Sequence, residues 1–200
     1  MASTSITEPF GGRSGSGSTP ELLFRRLLSR QNEITVIKYF TARVRPSPAD
    51  PQVNVRQDAY LRAVRAHCSS VQLYFGHFLR HRSAMEHANP PPPTVEVWKN
   101  EEKGSDVNLA LHVLNDAWLD AYDCAVIVSN DSDLAEALRL VKTHKRRIIG
   151  LVTPGAPVRK TSRQLRMHAD FVRPIRTWML RECQLPDPIP GAGIHKPLGW

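Results

Sequence analysis

Apolar residues fall along this chain in two alternating patterns. Short β-branched runs are separated by stretches in which apolar positions recur every three or four residues. Ala125-Val-Ile-Val128 is a run of small and branched side chains suited to a buried strand. It breaks at Ser129-Asn-Asp-Ser-Asp133, and Leu134, Ala137, Leu138 and Val141 then repeat at the spacing of one buried helical face. The same alternation recurs elsewhere. Ile34-Thr-Val-Ile-Lys-Tyr-Phe40 and Val71-Gln-Leu-Tyr-Phe75 predict strands, and Gln57 to His67 predicts a helix through Tyr60, Leu61 and Val64. Thr94-Val-Glu-Val-Trp98 alternates as a strand, followed by a helix that carries Val107, Ala110, Leu111, Leu114 and Trp118 on one face. Lys145-Arg-Arg-Ile-Ile-Gly-Leu-Val152 leads into another buried strand, Val158 to His168 into a basic helix, and Phe171 to Ile175 into an edge strand that tolerates Pro174. Strands alternating with helices predict an α/β fold around a mainly parallel sheet.

The remaining stretches are polar or rich in proline and glycine. Residues 1–20 are dominated by Ser, Gly and Thr and are expected to form a disordered leader. Pro20 opens an amphipathic segment, Glu21 to Leu28. Arg43 to Pro51 is a proline-broken loop, and Pro154-Gly-Ala-Pro157 a turn. Gly76 to Pro93, with His77, His81, His87 and four consecutive prolines, reads as an inserted loop whose histidines match no metal-site spacing. The tail is expected to pack on the domain through Leu198 and Trp200. The expected division is a leader over 1–20, one domain over 21–178 and a tail over 179–200.

Acidic residues cluster where strands give way to helices. Asp131 and Asp133 follow one buried strand; Glu101, Glu102 and Asp106 lie between another strand and its helix. In open α/β sheets, ligands bind beyond the carboxyl ends of the strands. One acid suffices to cap a helix, so a second carboxylate two residues away asks for another cause. If both units share one sheet, Asp106, Asp131 and Asp133 converge on one rim, where their mutual repulsion calls for a cation. Hard divalent ions such as Mg²⁺ or Mn²⁺ take oxygen ligands of this kind.

Two long segments carry a specific resemblance. Glu101-Glu-Lys-Gly-Ser-Asp-Val-Asn-Leu-Ala110 and Asp123-Cys-Ala-Val-Ile-Val-Ser-Asn-Asp-Ser-Asp-Leu134, together with Lys38-Tyr-Phe-Thr-Ala-Arg43, resemble the signature of the NYN domain family of the PIN-like ribonuclease superfamily. The resemblance runs from about Glu21 to the end. It implies a Rossmann-like, three-layer sandwich and metal-dependent hydrolysis of RNA, with Asp106, Asp131 and Asp133 as metal ligands and Lys103 as a further catalytic residue. Glu101, Glu102, Ser129 and Asn130 would support them. Family members normally begin with a central strand ending in Asp-Gly-x-Asn. Residues 1–20 contain no such segment and no Asp, so the usual first strand is expected to be lacking. The resemblance extends to relatives known as NADH-linked monooxygenases of a succinoyl-bearing hydroxypyridine, which makes an oxygenase the alternative. No G-x-G-x-x-G follows a predicted strand to announce a dinucleotide. A non-catalytic RNA-binding domain is the second alternative.

Charge supports a polyanionic partner. The 200 residues hold 27 Lys and Arg against 19 Asp and Glu, a net charge of +8. Between Leu134 and Arg181 there are twelve Lys and Arg against two carboxylates. Arg43, Lys145, Arg146, Arg147, Arg159, Lys160 and Arg163 are the candidates for holding RNA phosphates. Three cysteines without paired spacing predict neither a disulfide framework nor a zinc site, and a reducing, cytoplasmic setting is expected. The chain has no apolar run of membrane-spanning length and no recognisable secretory signal.

Overall fold

The structure, a computed structural model, describes residues 2–7, 17–153 and 161–198, with the backbone alone for 2–7. Seven strands form one sheet in the order β4-β3-β2-β1-β5-β6-β7. They are β1 (Ala2–Thr7), β2 (Ile34–Ala42), β3 (Val71–Glu86), β4 (Thr94–Lys103), β5 (Cys124–Val128), β6 (Ile148–Thr153) and β7 (Phe171–Pro174). All neighbours pair in parallel except β3 and β4. The helices are α1 (Pro20–Leu27), α2 (Val53–His67), α3 (Ser105–Trp118), α4 (Ala135–Leu140), α5 (Arg163–Arg166) and α6 (Thr177–Glu182).

Alternation along the strands builds the three layers. On β2 and β5, Ile37, Tyr39, Val126 and Val128 face α1 and α2, where they join Leu23, Phe24, Leu27, Tyr60, Leu61 and Val64. The intervening Phe40, Ala125 and Ile127 face α3 and α4, where they meet Leu109, Val113, Leu134, Leu138 and Val141. Because both faces are covered, these strands read as continuous apolar runs rather than as alternating ones. No helix among the described residues is long and apolar enough to cross a membrane.

Four expectations need correction. The first concerns the leader. Ala2–Thr7 forms β1 and fills the central slot, pairing in parallel with β2 on one side and β5 on the other. The sheet therefore has its central strand, although that strand does not end in Asp-Gly-x-Asn. Two flanking backbones supply hydrogen-bond partners from Ala2 to Ile6, a gain that composition does not reveal.

Gly76 to Pro93 is not an inserted loop. β3 continues to Glu86 and forms an antiparallel ribbon with β4, from His77 opposite Lys103 to Glu86 opposite Thr94. Only the connection, residues 87–93, is without strand pairing. The basic helix is also shorter than expected, with four residues in α5, while residues 154–160 lie outside the described ones. In the tail, Leu198 is 99% exposed; Ile189 is the buried anchor instead, and the Leu185 N–H donates to the Gly17 carbonyl at 2.7 Å. Trp200 lies outside the described residues.

Candidate functional site

The carboxyl ends of β1, β2 and β5 and the start of α3 define one rim of the sheet. β5 ends at Val128, and the buried Ser129 then turns the chain: its Oγ accepts the Asp131 N–H at 3.1 Å. Asn130 Oδ1 accepts the Ser162 N–H at 2.7 Å and ties this turn to the start of α5. Asp131 Oδ1 accepts the Asp133 N–H at 3.0 Å, capping the 3₁₀ turn over Ser132–Leu134. Asp131 thus does cap, as its position allows, but with one oxygen only.

The ribbon delivers the second set of acids. β4 reaches Lys103, Gly104 turns through a positive φ of 96°, and α3 starts at Ser105. Gly76 on β3 lies directly beneath this turn. A Cβ there would stand 2.5 Å from the Lys103 carbonyl oxygen and 3.0 Å from Ser105 Oγ, so only glycine lets the two segments approach. The turn places Asp106 in the first turn of α3, where the helix dipole favours a negative charge.

The electrostatics link both segments. Partial burial, and after it the charges of Asp131, Glu102 and Asp133, raise the Asp106 carboxyl above the usual aspartate range. No Lys, Arg or His among the described residues forms an ion pair with Asp106, Asp131 or Asp133. Glu102 accepts a hydrogen bond from Ser105 Oγ and is the fourth acid of the group. Glu101, its neighbour, points the other way. Strand alternation sends it to the opposite face of the ribbon, between Lys99 and Lys103, with Lys103 Nζ at 2.8 Å. Those two ammonium groups lower the Glu101 carboxyl to about 2.

The candidate cations are dispersed. Arg43 follows β2 onto the acidic rim, with its guanidinium 5.0 Å from the Phe75 ring centre and Nη1 3.4 Å from Asp58. Arg163 opens α5, next to the turn that carries Asp131 and Asp133. Lys145, Arg146 and Arg147 precede β6 and therefore stand at the opposite edge of the sheet. There Lys145 and Arg147 pair with Asp120 at 3.0 and 2.6 Å, and Arg147 also approaches Asp123. Arg159 and Lys160 lie outside the described residues.

Among the described residues, no three His, Cys, Asp or Glu side chains lie together closely enough to hold an ion by themselves. The histidines His77 and His81 are spread along the ribbon, opposite Lys103 and Lys99. The chemistry of the acidic rim nonetheless suits a hard divalent ion. Mg²⁺ is commonly bound by one or two carboxylates, with water and substrate phosphate completing its shell.

A second polar cluster, which the sequence patterns did not single out, lies beneath α3. Lys38 Nζ, on β2, is 2.6 Å from Asp116 Oδ2 and 3.1 Å from His112 Nδ1, and Lys38 and Asp116 are both buried. Phe40 and Tyr74 stack at 5.1 Å between ring centres and both pack against the His112 ring. A lysine in an otherwise apolar strand is the signal that could have announced it.

Comparison with known proteins bears on the family and the fold. The family model described as NYN domain matches residues 16–176. A Pseudomonas putida protein named 6-hydroxy-3-succinoylpyridine 3-monooxygenase HspA is 36% identical over 177 residues. That match covers 82% of this chain and 57% of the relative, so the chain spans little more than half of the relative's length. Among solved structures, a protein of unknown function from Vibrio parahaemolyticus superposes with a TM-score of 0.51 at 15% identity, covering 88% of this chain and 93% of the other. That likeness concerns the fold alone.

Proposed function

Because the chain belongs to the NYN domain family, we propose that it is a divalent-metal-dependent ribonuclease that hydrolyses RNA phosphodiesters at the acidic rim. What supports this reading is that the turns after β4 and β5 bring Glu102, Asp106, Asp131 and Asp133 to one rim and that, among the described residues, no Lys, Arg or His forms an ion pair with them. Asp106, Asp131 and Asp133 would hold Mg²⁺ or Mn²⁺ directly or through water, the water being needed because no three of the described side chains stand close enough to ligate one ion, with Glu102 beside them. A bound ion of this kind supplies the charge that lowers the pKa of water and stabilises the phosphate in the transition state. Arg163, at the start of α5, and Arg43, at the exit of β2 once it leaves Asp58, would hold phosphates beside the acids. Lys103 would have to exchange Glu101 for a phosphate to serve the same purpose.

A second reading is favoured by one observation, the 36% identity to the protein named a succinoylpyridine monooxygenase. Under it the chain would oxidise a hydroxypyridine carrying a succinoyl group at the expense of NADH and O₂. One assay separates the two. Purified protein is given single-stranded RNA with Mn²⁺ or, separately, 6-hydroxy-3-succinoylpyridine with NADH. The nuclease reading expects RNA cleavage that ignores NADH and no O₂ consumption. NADH and O₂ consumed in step with the pyridine, with RNA left intact, would replace it with the oxygenase reading.

A further inference from the structure

The ribbon carries a surface that the acidic rim does not use. Opposed residues of an antiparallel pair share a face, so Phe78 with Glu102, Arg80 with Asn100 and Arg82 with Trp98 form three successive rows on one side. The contacts agree with this register: the Arg80 and Arg82 guanidinium groups lie 4.5 and 5.4 Å from the Trp98 ring centre. Trp98 is nevertheless 56% exposed, and neither arginine forms an ion pair with a described residue. A half-exposed indole beside two guanidinium groups that no described carboxylate neutralises is matched to a polyanion with flat, stackable rings. The first of the three rows contains Glu102, which accepts a hydrogen bond from the Oγ of Ser105, the residue before Asp106 at the start of α3.

From this register we infer that the ribbon face is the binding track for single-stranded RNA leaving the acidic rim, with a base stacked on Trp98 and phosphates held by Arg80 and Arg82. The inference rests on the ribonuclease reading and names the part of the substrate that lies outside the cleavage site. Rows on one face are spaced by about 6.8 Å, so Trp98 lies two rows from Glu102, within reach of a nucleotide close to the scissile bond. Parity excludes the other face from this role, because there Glu101 neutralises Lys99 and Lys103. The track ends where Glu96 stands opposite Ala84 in the next row.

The test uses the full chain, a fluorescently labelled single-stranded RNA read by anisotropy, and gel assays of cleavage. Trp98→Ala should weaken binding by about tenfold or more, since stacking on an aromatic ring is worth that much per base. Arg80→Ala with Arg82→Ala should lower the slope of log affinity against log salt by about 1.4, or 0.7 for each lost phosphate contact on a single strand. The melting temperature of each variant establishes that it is folded. Cleavage by the parent chain with undiminished binding and cleavage by these variants would overturn the inference and leave the ribonuclease reading intact. RNA binding that depends on the ribbon, without any cleavage, would leave the track standing and remove the nuclease. No binding to RNA by the parent chain would overturn both. A dimer that dissociates on Trp98→Ala, with RNA binding unchanged, would make this face a contact between copies and overturn the track.

Discussion

Asp116→Asn probes the polar cluster under α3. Lys38 and Asp116 are each 8% exposed as residues and meet at 2.6 Å, with His112 Nδ1 3.1 Å from the same ammonium group. Removing one partner of such a pair leaves the other charged and buried, which costs about 3–5 kcal/mol. Asn retains an oxygen acceptor and His112 retains its nitrogen, so the expected loss is at the lower end, about 3 kcal/mol. For a chain of this size each kcal/mol moves the melting temperature by roughly 2–4 °C, so a fall of about 6–12 °C is expected. Urea titration at pH 7 measures the free energy and a thermal scan the midpoint. Lys38→Met with Asp116→Leu should recover most of the loss, because an apolar pair of similar volume avoids the desolvation of two charges.

The same cluster sets a pH dependence. Burial first, and the Lys38 ammonium second, lower the His112 pKa below the ordinary histidine range. The unfolded chain therefore takes up the proton first, and stability falls as the pH drops below about 6.5. That slope should shrink in Lys38→Met. Asp116→Asn within about 0.5 kcal/mol of the parent at pH 7, the range of ordinary surface changes, would mean that Lys38 does not depend on the Asp116 charge.

Three other outcomes follow from the rim. Asp106→Asn should raise stability at neutral pH. A carboxyl raised in the folded state costs stability as the pH climbs from its unfolded value through its folded one, so the gain should vanish below about pH 3.9, where both states are protonated; urea titrations across pH 3 to 8 check this. Gly76→Ala should cost about 1–3 kcal/mol and reduce RNA cleavage, because its methyl would meet the Lys103 carbonyl at 2.5 Å and displace the turn that carries Asp106. Mn²⁺ at a hundredfold its dissociation constant should stabilise the parent chain by about 2.7 kcal/mol, seen as a higher melting temperature, and Asp131→Asn should lose most of that rise.

The legible parts of the sequence were those in which local pattern and tertiary role coincide. Ala125 to Leu134 is apolar, then acidic, then helical, and the structure uses it as strand, rim and helix. The α3 stripe was visible for the same reason. β1 was not, because its place depends on backbone partners in β2 and β5, more than twenty-five and more than a hundred residues away. The ribbon is hidden in the sequence because histidines, arginines and prolines between Gly76 and Pro93 resemble loop composition, and an exposed two-stranded ribbon needs no apolar face. Glu101 and Glu102 could not be told apart until the strand was known to continue to Lys103, after which parity alone separates them. The basic segment Lys145 to Arg147 carried a readable signal of position: residues that precede a parallel strand lie at its amino end, away from the rim where ligands bind.

The most direct test of the acidic rim as a metal-dependent ribonuclease site is cleavage of labelled single-stranded RNA by the purified full chain. The protein is stripped with EDTA, restored with Mn²⁺, and compared with Asp106→Asn and Asp131→Asn. A metal-dependent site at the rim requires no cleavage after stripping, cleavage on restoring the ion, and a loss of about 100-fold or more in each variant, the scale on which an electrostatic contributor to the transition state acts. Cleavage that persists in EDTA, or that is equal in all three proteins, would contradict it.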